Sequence, residues 1–277
     1  MMNTMSQLLH EKKQILEHNL KEMEEVLVAF SSGVDSAFLL KTAHDVLGDR
    51  ATAVTARGDF FPEMETEESI AFCKDHNIRQ ILIDVDPLCN PDIAGNPPDR
   101  CYLCKSMIFR RFREVAEDQK ILFLADGTNA DDEGDYRPGL RALKELRISS
   151  PLKDAGLTKQ EIRLLSREAG LSTWNKPSYA CLASRLVYGE KITKEKLQMV
   201  EKAEQVLMGL GFSQIRVRIH GPVARIEVEK QDIERFLDPE IRAQVSTKLH
   251  QLGFLYVALD LDGYQTGSMN ALLDAGS

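Results

Sequence analysis

No apolar run in this 277-residue chain approaches the roughly 18 residues that a membrane span requires, so no membrane role is expected. A surplus of positive charge is also missing. Lys and Arg total 35 against 43 Asp and Glu, a net charge of −8. Such a chain carries no overall electrostatic footprint for nucleic acid, and none is expected as a partner. Residues 1–25 are polar and helical in pattern, with acids among them and no apolar centre of the signal-peptide kind. There is no internal repeat, no low-complexity segment, no second C-x-x-C and no H-x-x-x-H. The hydrophobic share of 43% and charged share of 28% exclude a disordered chain or a fibre. Five unevenly spread cysteines point to metal or sulfur chemistry in a cytoplasmic protein rather than to structural disulfides.

What is present is strand and helix in alternation. After an amphipathic helix (9–25), VLVAF (26–30) is a continuous apolar run, the pattern of a buried parallel strand. Strands follow at 51–56, 80–85 and 121–126, with helices to Leu47 and over 63–76 and 101–117. This βαβ spacing predicts an α/β domain with a mostly parallel sheet and helices on both faces. Thr158 and Glu161 are spaced as a capping box for a further helix. Beyond a loop-like stretch near 176–189, a helix (193–210), strands at 213–220 and 223–229 and a closing strand at 255–261 predict a smaller α/β domain. The Gly221-Pro222 turn makes the middle strands a hairpin. The expected division is 1–180 and 181–277.

AFSSGVDS joins the first strand to its helix. Backbone N–H groups of a tight Gly/Ser loop and a helix N-terminus form a cradle for phosphate. Gly33 reads as the residue allowing an unusual backbone, while Ser31, Ser32 and Ser36 offer hydroxyls. Asp35 is an unsuitable phosphate ligand by charge but a suitable magnesium ligand beside phosphates. A plain βα turn is the competing reading. The loop resembles the SGGxDS loop of the PP-loop ATP pyrophosphatases, a HUP-like fold, with Ser31, Ser32, Gly33, Val34, Asp35 and Ser36 in the nucleotide-binding positions. It is no Walker A loop, since no Lys-Ser/Thr pair follows the glycine. Ser32 replaces a family glycine, and a positive φ there would strain it. The resemblance implies ATP and Mg2+, adenylylation of an oxygen and release of pyrophosphate.

Three more segments, DGTNADDEGDYRPGL (126–140), NKPSYACLASRLVYGEKIT (175–193) and FSQIRVRIHGPVARIEV (212–228), follow in the order found in the LarE family. The likeness runs from about Leu20 to Met269. LarE proteins are ATP-dependent sulfur transferases of nickel-pincer nucleotide cofactor synthesis. The resemblance implies adenylylation of pyridinium-3,5-biscarboxylic acid mononucleotide and conversion to thiocarboxylates. It implies nucleotide-binding roles for Gly127 and Glu133, and a phosphate- or substrate-binding role for Arg216 and Arg218. It carries Glu204 over more weakly, as a metal contact. Read by residue type alone, the acids of 131–135 are a solvated loop, and the strand arginines are exposed partners of Glu227 or Glu229.

Cys181 lies in the second of these segments, with Lys176 and Arg185 near it in sequence. In family members with one functional cysteine this residue gives up its own sulfur and becomes dehydroalanine. Here DRCYLCKS adds Cys101 and Cys104, two sulfurs on one side of a turn. Zinc would need two more soft ligands, and a redox dithiol fits Tyr-Leu poorly. A [4Fe-4S] cluster on Cys101, Cys104 and Cys181 needs only three cysteines, and the resemblance to a LarE subgroup implies it, with the sulfur carried at the open iron. Cys73 reads as core, Cys89 as a competing fourth ligand, and Trp174 as packing. A sulfide donor is an expected partner, and a homo-oligomer an expected state. A tRNA-thiolating enzyme of the same superfamily and a non-catalytic iron–sulfur carrier are the alternatives. The charge of −8 disfavours the first, and the phosphate loop is unexplained by the second.

Overall fold

The computed structural model of the chain describes residues 4–134, 138–177 and 180–265. The chain forms two compact units. The first comprises Met1–Gly58, Glu63–Val85 and Cys101–Tyr179, and the second Asp59–Pro62, Asp86–Arg100 and Ala180–Ser277. The second unit thus recruits two short segments from the N-terminal half.

The first unit is built on four parallel strands in the order β3-β2-β1-β4: β1 (Val26–Ala29), β2 (Ala51–Arg57), β3 (Arg79–Asp84) and β4 (Phe123–Ala125). Helix α1 (Thr4–Met23) precedes the sheet. Helices α2 (Val34–Leu47) and α3 (Glu63–Asp75) connect β1 to β2 to β3, and α5 (Arg100–Asp118) leads back to β4. Between β3 and α5 runs the short α4 (Pro91–Ala94), in the second unit. After β4 come α6 (Pro138–Glu145), α7 (Pro151–Asp154) and α8 (Lys159–Glu168).

Alternation along β1 divides its side chains. Val26, Val28 and Phe30 join Leu16, Leu20, Phe38, Ile162 and Leu165 of the helices in one apolar cluster, while Leu27 is buried against the other face. The chain steps outward from β1 to β3 and then reverses to β4. Right-handed crossovers therefore place α2 and α3 on one face and α5 on the other. The reversal makes a topological switch point between β1 and β4, where an open α/β sheet has its natural ligand crevice.

The second unit holds a mixed sheet of β5 (Ile215–His220), β6 (Val223–Val228) and β7 (Tyr256–Leu259), order β5-β6-β7. β5 and β6 are antiparallel, and β7 joins β6 in parallel. At the hairpin Gly221 takes φ 56°, and the ring of Pro222 fixes a negative φ, the pairing that a two-residue II′ turn requires. α9 (Lys194–Gly209) packs on β5, and α10 (Pro239–Gln251) on α9. Between β6 and α10, Lys230–Leu237 forms a 3-10 helix. In register, Arg216 lies opposite Glu227 and Arg218 opposite Arg225, so all four share one face of the hairpin.

Candidate functional site

Ser31 and Ser32 leave the carboxyl end of β1, and Gly33 caps α2. The strained backbone lies at Ser32, with φ 54°. Gly33 is extended, with φ −73° and ψ 161°, a conformation any residue adopts, so the expectation that Gly33 relieves the backbone is corrected. Its bareness serves space instead. A Cβ on Gly33 would meet only Ser31 Oγ, at 3.5 Å, so the position is kept open to something approaching the backbone. The amides of Val34, Asp35 and Ser36 begin the helix and have no partner within it. Ser36 Oγ donates to Gly33 O (3.2 Å), accepts from Ser31 N (3.3 Å) and meets Ser31 Oγ (3.2 Å), which fixes the loop's curl. Ser32 Oγ is turned away, donating to Glu65 O at 3.2 Å. Lys176 Nζ donates to Ser32 O (3.1 Å) and Oγ (3.0 Å) and pairs with Glu68. Its charge therefore braces the phosphate loop.

Asp35 is the electrostatic centre. Its Oδ2 accepts from Lys159 Nζ, while Oδ1 is buried with no hydrogen-bond partner. Burial pushes its pKa above the ordinary 3.8; Lys159 opposes that rise and Asp132 adds to it. A desolvated carboxylate oxygen without a donor is costly unless a cation completes it. Beside the open Gly33 cradle, this carboxylate oxygen fits the chemistry of a Mg2+ ligand next to bound phosphate. Gly127, just past β4, lies against the same turn. A Cβ there would stand 3.0 Å from Ser36 N and 3.2 Å from Ser36 Cα. Asp126 accepts from Ser150 Oγ (2.7 Å) and from Thr128, which pins the loop after β4.

The acids beyond are not merely solvated. Asp131 Oδ2 accepts from Lys159 N (2.8 Å), and Asp132 Oδ2 from Asn129 N (3.0 Å). The side chain of Glu133, together with Asp135 and Arg137, lies outside the described residues. The Thr158–Glu161 capping box is present, with Lys12 Nζ on Glu161 at 2.7 Å. It fixes the start of α8 and hence Lys159. Sequence pattern reveals the cap but not Lys159 or Ser150, because their partners lie far along the chain.

In the second unit, half-buried Cys181 opens a single 3-10 turn, Leu182–Arg185. Arg185 is fully buried and forks onto Glu204, Nε to Oε1 at 2.8 Å and Nη2 to Oε2 at 2.9 Å. Glu204 Oε1 also accepts from Val217 N at 3.0 Å. Both oxygens of Glu204 thus serve Arg185 and β5. Arg218 forks onto Glu227 (2.6 and 2.8 Å) and donates to Ser184 O at 3.0 Å. Arg218 thus pairs with an acid as composition alone implies, but buried rather than exposed. Arg216 is buried with its guanidinium 5.0 Å from the Tyr264 ring centre. Burial and the Arg185 charge lower its pKa.

Cys101 and Cys104 are half-buried in the first turn of α5, in the first unit, whereas Cys181 belongs to the second. Among the described residues no three His, Cys, Asp or Glu side chains are gathered to hold a metal ion. Cys73 is buried, which pushes its thiol up to about 12. Exposed Cys89 donates to Asp86 Oδ2 at 2.9 Å, which raises its pKa. Trp174 packs beside the Arg167 guanidinium, 5.1 Å from its ring centre. No described helix is long and apolar enough to cross a membrane.

No protein-family model matches the chain. Comparison with curated proteins does find relatives. An uncharacterised protein of Synechocystis sp. is 40% identical over 96% of this chain and 99% of its own. The pyridinium-3,5-bisthiocarboxylic acid mononucleotide synthase of Lactiplantibacillus plantarum is 38% identical over 95% of each chain. A chain of the glutamine-hydrolysing GMP synthase of Pyrococcus furiosus is 28% identical over 70% of this protein and 68% of its own length, as expected of a shared PP-loop superfamily. A parallel sheet with its phosphate loop at the switch point, and near-complete alignment with the synthase, lead to one assignment: the chain belongs to the LarE family.

Proposed function

We propose that this protein is an ATP-dependent sulfur transferase that converts the carboxylates of pyridinium-3,5-biscarboxylic acid mononucleotide to thiocarboxylates. The observation that carries this reading is the 38% identity to the synthase over 95% of each chain. The buried, partnerless Asp35 Oδ1 beside an open loop supports the nucleotide half of the chemistry.

In the first half-reaction a substrate carboxylate oxygen attacks the α-phosphorus of ATP. The bond to the β-phosphate oxygen breaks and pyrophosphate leaves. Ser31–Ser36 and the first amides of α2 grip the departing phosphates, where charge develops. Asp35 would hold Mg2+, which would supply positive charge against the leaving pyrophosphate. Gly127 sets the distance between the loop and the turn after β4, and the family resemblance gives Glu133 a nucleotide-binding role. Arg216 binds the phosphate of the mononucleotide. Arg218, already committed to Glu227 and Ser184, contributes charge beside it.

In the second half-reaction sulfur adds to the acyl carbon and AMP leaves with the carboxylate oxygen on its phosphate, giving the thiocarboxylate. Cys101, Cys104 and Cys181 are three thiolate donors suited to a [4Fe-4S] cluster. Bound by them, the cluster supplies the transferred sulfur and spares the cysteine side chains.

The test is anaerobic reconstitution followed by turnover with ATP and sulfide. The wild type is expected to bind about four irons and to make more than one thiocarboxylate per chain at constant protein mass. Cys101→Ala, Cys104→Ala and Cys181→Ala are each expected to be colourless. Cys181→Ser keeps substrate-dependent pyrophosphate release and loses sulfur transfer. A yield that stops at one sulfur per chain, with the protein lighter by the mass of one hydrogen sulfide, would mean that Cys181 is consumed.

A further inference from the structure

We infer that Arg185 is a positioning residue for Cys181, holding the sulfur-bearing turn in one shape from beneath. This inference rests on the reading of Cys181 as a sulfur-handling residue.

A surface turn ordinarily turns its carbonyls to water. Here they point at buried guanidinium groups. Arg185 Nη1 donates to Ala180 O (2.6 Å), Cys181 O (3.1 Å) and Ser184 Oγ (2.9 Å). Arg100 Nη1, also buried, donates to Ala183 O at 2.9 Å, and Arg218 Nη1 to Ser184 O at 3.0 Å. Leu182 N donates to Phe60 O at 2.9 Å. The peptide groups on both sides of Cys181 are therefore fixed by side chains and backbone reaching into the turn, and Arg185 serves the carbonyls of both Ala180 and Cys181.

Arg185 is itself held. Its other edge forks onto Glu204, which sits on α9 and accepts from Val217 N of β5. The linkage runs without a gap from β5 through Glu204 and Arg185 to the Cys181 carbonyl. Only a guanidinium can do this. It offers five N–H groups in a fixed plane, so one edge can pair with a carboxylate while the other serves carbonyls. A lysine ammonium could not span both. Nor does stability alone account for the pair, because a buried ion pair is often no better for stability than apolar residues of the same volume. Sulfur attack on an acyl-adenylate demands placement, and a 1 Å error in the reacting atoms can cost about a hundredfold in rate.

The double variant Arg185→Met/Glu204→Leu removes both charges while keeping the volume filled. It is expected to fold and to release pyrophosphate in response to substrate. Its thiocarboxylate formation should fall about tenfold or more, on the scale of misplaced reacting atoms. Iodoacetamide labelling of the metal-free full chain, read site by site by mass spectrometry, should show a changed rate at Cys181 and an unchanged rate at Cys89. Arg185→Lys should fail to rescue sulfur transfer. A folded double variant that transfers sulfur and labels at Cys181 like the wild type overturns the inference. If the double variant does not fold, Arg185→Lys decides by the same two readouts. Cys181→Ala is the separate control: transfer that survives it sinks the role of Cys181 itself, whereas loss in Cys181→Ala with normal transfer in Arg185→Lys sinks only the role of Arg185.

Discussion

The phosphate loop of the first unit and the cysteine turn of the second handle polar groups in opposite ways. At the loop a buried carboxylate oxygen of Asp35 has no partner, the helix-start amides have none within the helix and Ser32 sits at φ 54°. At the turn nearly every carbonyl is met by a buried arginine, and the guanidinium groups of Arg185 and Arg218 are forked onto Glu204 and Glu227. Incompleteness marks the place where a ligand supplies the missing charge. Completeness marks a platform that must keep its shape while chemistry happens on it.

Asp35→Asn should break the first half of that contrast most severely. The amide cannot neutralise the metal, so substrate-dependent pyrophosphate release should fall by about a hundredfold or more, as for loss of a main electrostatic contact. A pH dependence follows. Burial raises the Asp35 pKa above 3.8. In the folded protein it therefore holds its proton to higher pH than in the unfolded chain. Its contribution to stability is most favourable below the unfolded value and is lost as pH rises through the folded one. Mg-ATP needs the ionised form, so its affinity should drop as pH falls through the folded pKa, with proton release on binding. Calorimetry in two buffers of different ionisation enthalpy reads this directly, and Asp35→Asn should abolish it.

Glu204→Ala attacks the completed side. Removing one partner strands the buried Arg185 charge, which typically costs about 3–5 kcal/mol. Urea denaturation should show a much lower midpoint. Exposed pairs such as Arg57–Asp84, at 2.7 Å, should register almost nothing when broken.

These features differ in how far the chain announces them. VLVA is legible because a strand covered on both faces is apolar throughout. The Thr158–Glu161 cap is legible because its two bonds close within one turn. Strain at Ser32 is foreseeable from a serine standing where the family has glycine. Gly33 misleads for a related reason: its residue type does not say whether it serves conformation or space. The Lys159–Asp35 pair spans 124 residues, and Arg185–Glu204 joins a turn to a helix. Such partners are set by topology, and composition ranks them no higher than any other acid and base. For the same reason the arginines of β5 look exposed in sequence and prove buried.

Gly127→Ala probes the loop more gently. Its Cβ would press on backbone, 3.0 Å from Ser36 N, with no flexible side chain to yield. The start of α2 must shift by a few tenths of an ångström. Overpacking of this kind costs about 1–3 kcal/mol, and ATP affinity should weaken with it while the second unit's cysteine labelling stays as in wild type.

Ser32→Gly should have the smallest effect, because its parts oppose one another. A residue other than glycine in the left-handed region costs about 1–2 kcal/mol, which glycine relieves. Glycine gives back roughly 0.5–1 kcal/mol through the greater freedom of the unfolded chain. It also loses the hydroxyl's bond to Glu65 O and the one received from Lys176 Nζ, each worth about 0.5–1.5 kcal/mol net. The backbone bond from Lys176 to Ser32 O remains, so the loop keeps its brace. The sum runs from about 0.5 kcal/mol favourable to about 3 kcal/mol unfavourable, centred about 1 kcal/mol on the unfavourable side, and Mg-ATP affinity should stay within a few-fold of wild type. A large loss of affinity with little change in stability would mean that the serine hydroxyl itself faces the nucleotide when it binds. The loop's openness would then extend to Ser32, and the boundary between its open and its braced atoms would have to be redrawn.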